Sequence, residues 1–500
     1  MKNLTIATLV YVSAPTCFFL LFWLKPHFAF ISILCLLMAF FLAIRKLNVP
    51  ETKAEEINML PLLGSSFALA TLVCTFSEFG IFQYQSYDYL IHNYKFNLLA
   101  TQDLPLYSED RQVYMCYYLG NYIIPSLLGK YLSLSVIKFF FFVWCTIGLA
   151  LTYTWIQVRV IDLHPWKRIF ICVALVVGSY VCVIFPALHH FIPTLPIQEG
   201  NSLVVNGKFI LNQVPIFTRG LSESPQHTLP AILGICFLLA IGDKPAYFNA
   251  AAYFFLGTLF LTPFAAIGLL GFLVMSFVKN VSKEGRTFFL DQVLYAIPLL
   301  IAYLPVVLFL TSSEATTMES NRALWQTNAD YWWVYYLAYL GVAYGIWFLF
   351  FGKRLMQFDR DALLVSLVFL VIVSLFQIGY YNDLNIRSSV VPQMVFSISI
   401  AYVIVTNSKL IFKKRILTLG ILFWALNGVS PLKFYYERLF VLKGHRNTIE
   451  NPVPRSARDE YYDLLESAYQ KNGKEVVKQY SLRKGTFFER FLLNKNSGRR

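Results

Sequence analysis

Apolar residues in this chain run in blocks of about 17 to 20 with almost no charge inside them, and the polar residues collect between the blocks. A block of that length crosses a hydrocarbon core of about 30 Å as a helix, the form in which a lone segment satisfies its own backbone in lipid. The pattern predicts spans near 5–24, 27–44, 58–77, 134–156, 168–187, 225–241, 246–260, 264–278, 290–310, 332–351, 361–378, 390–406 and 416–430. The expected fold class is an all-α polytopic membrane protein of about 13 transmembrane helices, with large extracytoplasmic loops and a small soluble C-terminal tail.

The polar segments between blocks are of two kinds. Short basic ones carry Arg45 and Lys46, Arg159 and Arg168, Lys279 and Arg286, Lys353 and Arg360, and Lys413 to Arg415. They alternate with long ones at about 78–117, 188–223, 311–331 and 379–389. Basic residues mark the cytoplasmic side, so the long loops are expected outside. Four of the 7 histidines, His92, His189, His190 and His227, fall in or beside those outer loops. Within the second loop, Asn206-Gly207 between two alternating runs predicts a hairpin with a type I′ turn, and hence a two-stranded flap.

Composition agrees with the pattern: 57% of residues are hydrophobic and 14% charged, against roughly a quarter charged in soluble proteins. The net charge of +14 raises the question of nucleic acid, but its basic residues sit in inter-span loops and in the tail, so no nucleic-acid partner is expected. The eight cysteines lie mostly inside apolar blocks and show neither a disulfide framework nor a zinc spacing. The N-terminal apolar run lacks a small-residue cleavage site and reads as a first span. Two domains are expected, a membrane domain over 1–430 and a soluble helical appendix over 431–500 with 15 basic and 8 acidic residues. In the appendix Ser456 would cap a helix that stops at Gly473.

Chemistry is therefore sought in the outer loops. Asp88 and His92 are one helical turn apart and share a face, so Asp88 can serve as a general base with His92 beside it. They also fit a helix cap and an interfacial histidine, which is what such a spacing more often is. Arg387, three residues before a span, can grip a phosphate at headgroup depth by paired hydrogen bonds, or snorkel and pair with Asp383. Glu223 and His227 flank Ser224-Pro225-Gln226, which reads as a helix start whose free amides favour an anion. Lys130 ends an apolar helix too short to span and is either an interfacial anchor or a phosphate ligand. No metal-ligand spacing is present. A divalent cation held by Asp88 with Glu199 and Asp103 stays open, and no other cofactor is implied.

The first outer loop with its aspartate (YDYLIHNYKFNLLATQDLPLY) and the aromatic returning helix (YYLGNYIIPSLLGK) resemble those of the GT-C superfamily of polytopic glycosyltransferases. The order of Asp88-x-x-x-His92, Ser224-Pro-Gln-His227, the segment Thr262 to Leu270, and Asn382-Asp-x-x-x-Arg387-x-Ser389 is also similar to that of an uncharacterised group of bacterial membrane proteins. The resemblance implies a polyprenyl-phosphate-linked sugar as donor, a membrane-lipid environment, and a bacterial inner membrane location with the site on the periplasmic face. It further implies inverting transfer, with Asp88 as base and Arg387, with Lys130, on phosphate; His227 or Glu223 would then contact sugar or acceptor. The chain departs from the family where Tyr87 and Tyr89 flank Asp88, since many members carry a second acidic residue there. Two other classes stay open: an O-antigen-type polymerase or ligase, expected to rely on outer-loop arginines, and a transporter or flippase of a lipid-linked saccharide, expected to carry ionisable groups at mid-membrane.

Overall fold

The computed structural model describes the chain apart from residues 49–57, 80–84, 86, 180, 182–189, 191–196, 199–201, 206–208, 213–216, 319, 328, 380–381, 409–413, 438–460, 464, 467–472 and 496–500. Helices α1 (Lys2–Trp23), α2 (Pro26–Arg45) and α3 (Met59–Thr75) precede the first outer loop. That loop folds into α4 (Tyr87–Thr101), a two-stranded ribbon of β1 (Tyr107–Ser108) and β2 (Val113–Tyr114), and α5 (Gly120–Tyr131). There follow α6 (Ile137–Arg159), α7 (Pro165–Ala174), α8 (Phe217–Glu223), α9 (Pro225–Ile241), α10 (Pro245–Leu261) and α11 (Pro263–Thr311). The last part holds α12 (Trp332–Leu340), α13 (Ile346–Phe351), α14 (Arg360–Val373), α15 (Asp383–Ser388), α16 (Val390–Thr406), α17 (Arg415–Asn427), α18 (Val429–Tyr436) and α19 (Gly473–Lys478).

Seven helical stretches among the described residues are long and apolar enough to cross a membrane, and three shorter apolar helices, α3, α9 and α10, lie where further spans are expected. The helix starts are written in the sequence: Pro26, Pro165, Pro225, Pro245 and Pro263 each open a helix, where a missing N–H breaks no intrahelical bond. The expected span over 168–187 is described as a helix only to Ala174.

The packing is that of a protein in lipid. Helix α2 turns Ala29, Ser32, Leu36, Ala39 and Ala43 inward, while Phe30, Leu34, Leu37 and Phe41 are each more than half exposed. A soluble helix would place them the other way round, whereas membrane helices meet through small side chains and turn large apolar ones to the hydrocarbon. The two spans expected at 264–278 and 290–310 are joined through Gly285, whose φ of 70° is open to glycine but strained for other residues. The chain doubles back there: the rings of Phe277 and Phe288 lie 6.2 Å apart, and Pro263 and Leu310 line one cavity.

The bundle has two ends of different character. At one, short basic segments meet acidic helix starts: Lys46 pairs with Asp291, Arg159 with Asp359, and Lys279 with both Asp243 and Asp361. At the other gather the loops expected outside. The flap there is three-stranded, with β3 (Ile197–Gln198) added to β4 (Ser202–Val205) and β5 (Phe209–Asn212). The expected turn at Asn206-Gly207 lies outside the described residues, although the pairing of Val205 with Phe209 leaves three residues between the strands and not two. The flap is tied down, since Ile210 N donates to Gln377 Oε1 and Asn382 Nδ2 donates to Ile210 O.

The tail, expected as a separate appendix, is built into this end. Tyr480–Arg483 runs between β2 and the end of α11: Cys116 N donates to Tyr480 O, Leu482 N to Tyr114 O, Glu314 N to Ser481 O and Arg483 N to Ser312 O. Phe488 is fully buried against Phe19 and Phe309. The expected helix beginning at Ser456 falls mostly outside the described residues, and Gly473 begins α19 where it was expected to end that helix.

Candidate functional site

The site is assembled where α4, α5, the turn between α8 and α9, and α15 converge at the loop-bearing end. Along α4, Tyr89, His92 and Lys95 recur every three residues and so form one stripe. Tyr89 Oη donates to Ser222 O at 2.8 Å, and Glu78 N donates to Ser222 Oγ at 2.9 Å. The loop thereby holds the end of α8 from two directions.

His92 is 7% exposed and both its ring nitrogens are engaged. Nδ1 is 2.7 Å from Tyr122 Oη, and Nε2 is 3.2 Å from Glu223 O. A carbonyl can only accept, so Nε2 carries the proton and Nδ1 accepts from the Tyr122 hydroxyl. Lys95 Nζ in turn donates to Tyr122 Oη at 3.3 Å. The result is a directional chain, Lys95 to Tyr122 to His92 to the Glu223 backbone. Burial first, and the Lys95 charge second, hold the His92 pKa well below its ordinary value, which keeps the ring in the neutral form this chain requires. His92 thus takes Tyr122 and Glu223 as partners, and the expected partnership with Asp88 lies outside the described residues. Asp88 itself stands in the first turn of α4, and its side chain lies outside the described residues.

Lys95 is 1% exposed. Its ammonium lies 4.3 Å from the centre of the Tyr117 ring, 4.6 Å from Tyr122 and 5.8 Å from Tyr480. Aromatic faces around a desolvated cation contribute on the order of 2 kcal/mol, which helps to offset its burial.

Helix α15 supplies the second charged group. Asn382, in the left-handed region at φ 57°, caps it through Asn385 N, and Asp383 Oδ1 accepts from Arg387 Nε at 2.6 Å. Asp383 is 7% exposed and lines a cavity, of about 580 Å³ including its mouth, that is walled by Tyr117, Tyr118, Phe264, Leu310 and Gln479. Burial raises Tyr118 to about 12 against the opposing pull of Arg387, so that phenol stays protonated. Behind Tyr118 sits His227, 2% exposed, with its ring 4.8 Å from Tyr118 and 6.2 Å from Phe264. His227 Nδ1 bonds Thr262 Oγ1 at 2.8 Å, and its Nε2 has no hydrogen-bond partner in the protein.

Of the residues expected in the site, the structure brings together His92, the Glu223 backbone, His227, Asp383 and Arg387. The Glu223 carboxylate is turned to Arg219, which it meets at 2.8 Å. Lys130 is not brought in: it is exposed at the opposite end of α5 from Tyr122. Among the described residues no three His, Cys, Asp or Glu side chains form a metal-binding group; Glu199 is outside that set. Tyr117, Lys95, Gln479 and Tyr480 are not among the site residues expected from the sequence, and Phe264 was marked only as part of the segment Thr262 to Leu270. The repeated tyrosines of Tyr117-Tyr118 and Tyr122 were a usable signal, whereas nothing local marks Gln479 and Tyr480. In comparisons with known proteins, no family model, curated protein or solved structure matches the chain.

Proposed function

We propose that this chain is a multi-pass membrane glycosyltransferase of the GT-C kind, crossing a bacterial inner membrane about thirteen times and working on its outer face. It would move a sugar from a polyprenyl-phosphate donor to an extracytoplasmic acceptor by inverting displacement. The observation that carries the reading is the gathering of Arg387, His227 and the neutral His92 at the end of the bundle away from the basic segments, beside a cavity that Asp383, the partner of Arg387, lines. A polyprenyl donor keeps its tail in lipid and its phosphate and sugar at headgroup depth, the level of that cavity's mouth in this reading. Asp88 takes the acceptor's proton as its hydroxyl attacks the anomeric carbon, while Arg387 offsets the charge developing on the departing phosphate. His92 braces α4 against the end of α8, and Lys130, exposed and remote, has no part.

The test is incubation of the purified protein with radiolabelled polyprenyl-phosphate sugars, with loss of label from the donor as the readout. Asp88→Asn is expected to lower turnover by about 10²–10⁴-fold with expression intact. Near-normal turnover in that variant would remove Asp88 from the scheme. Consumption of no donor, together with movement of a lipid-linked saccharide between leaflets, would replace the transferase with a transporter.

A further inference from the structure

We infer that the cavity between Tyr118, Phe264 and the returning tail is a subsite for a single neutral pyranose ring, gripped by Asp383 and Gln479 and stacked on the aromatic wall. The inference rests on the transferase reading and deepens it, because it places the sugar and not the phosphate here. The lining decides the ligand class. Among the described residues no Lys or Arg lines the cavity, and its one ionisable carboxylate is Asp383; an anionic phosphate would meet that carboxylate and an apolar floor. A cation is no better served, because Asp383 Oδ1 is already bound by the Arg387 guanidinium at 2.6 Å and Lys95 lies against the Tyr117 ring. What suits a half-neutralised carboxylate, an amide and aromatic faces is a ring with hydroxyls on its edge and C–H groups on its face. Asp383 Oδ2 accepts from a hydroxyl, the Gln479 amide accepts from one or donates to one, and Tyr118 or Phe264 covers the apolar side.

Gln479 comes from the tail, held beside Tyr117 by the stacking of Tyr480 on that ring at 4.5 Å. The subsite is thus closed by a segment about 360 residues from Tyr118 in the chain.

The experiment is saturation-transfer NMR on the purified full-length chain in detergent with a panel of methyl pyranosides, using inorganic phosphate and tetramethylammonium as the charged probes. At least one methyl pyranoside is expected to receive saturation at its ring protons. Tyr118→Ala should weaken it by about tenfold or more, and Gln479→Leu, which keeps the backbone and bulk, by about five- to tenfold. Absence of binding by every pyranoside, full displacement by either charged probe, or unchanged binding in both variants would overturn the inference. The donor assay separates the two proposals. Donor consumption with KM unchanged in both variants sinks the subsite alone, whereas pyranoside binding lost in both variants without consumption of any donor sinks the transferase alone.

Discussion

His92 is a residue whose protonation is decided by its surroundings. A neutral ring is needed because Tyr122 donates to Nδ1 while Nε2–H donates to the Glu223 carbonyl. A second proton would remove Nδ1 as an acceptor for Tyr122 and set a cation beside Lys95. The unfolded chain takes up that proton near pH 6.5, the folded chain only well below it. Between those two values the unfolded state binds more protons, so the contribution of His92 is fully present above about pH 6.5 and is lost as the pH falls through that window. Unfolding of the wild type followed from about pH 7.5 down to 5 should show stability falling with acidification, and His92→Gln should flatten the slope. An unchanged slope in that variant would assign the dependence to another group. The Asp88–His92 spacing was legible as a shared face, but which partner His92 takes was not. Tyr122 lies 30 residues away and Glu223 131 residues away, and only the packing of α4 on α5 and beside the end of α8 brings them to His92.

At the scale of the element, the placement of Arg387 depends on how closely α15 approaches α11. Gly268 makes that approach possible, since a Cβ there would collide with the Ser388 carbonyl and come within 2.9 Å of the Val391 side chain. Gly268→Ala is expected to destabilise the fold by about 1–3 kcal/mol, the usual range for overpacking, and to displace the Asp383–Arg387 pair. Gly64→Ala on α3, with nothing within 4 Å of the added methyl, should be neutral or stabilising by up to about 1 kcal/mol. Thermal unfolding of the two variants in one detergent compares them; equal melting temperatures would refute the close approach. The helices themselves were well marked in the sequence, by apolar blocks and by the prolines that open them. What the blocks could not give was the reversal at Gly285 without a separate loop, because hydropathy reports length and not direction.

For the whole molecule, the returning tail matters most, and its attachment is held by contacts of unequal weight. Arg111 meets Asp463 at 2.7 Å and Glu466 at 2.9 Å, but Asp463 is largely exposed, and such pairs contribute about 0–1 kcal/mol. Phe488 is fully buried between Phe19 and Phe309, and removing a ring of that kind costs about 3–5 kcal/mol. Phe488→Ala should therefore release the tail to limited proteolysis, while Arg111→Ala leaves it protected. Equal cleavage in both would place the attachment in the ion pairs. The composition change after Pro431 marked a region unlike the membrane part, yet no local signal said that its strand would pair with Tyr114 and Ser312.

The sequence by itself determined the membrane character, most helix positions, the collection of polar loops at one end, and the candidate status of Asp88, His92, Asp383 and Arg387. These follow from hydropathy, charge and turn chemistry, which act over a few residues and can be read in order. Only the tertiary structure decided that His92 answers to Tyr122 and Glu223, that Lys130 stands apart, that Lys95 lies within a ring of tyrosines, and that Gln479 closes the cavity. Those are long-range contacts, selected by the shape of the packed bundle, and neighbouring residues carry no record of them.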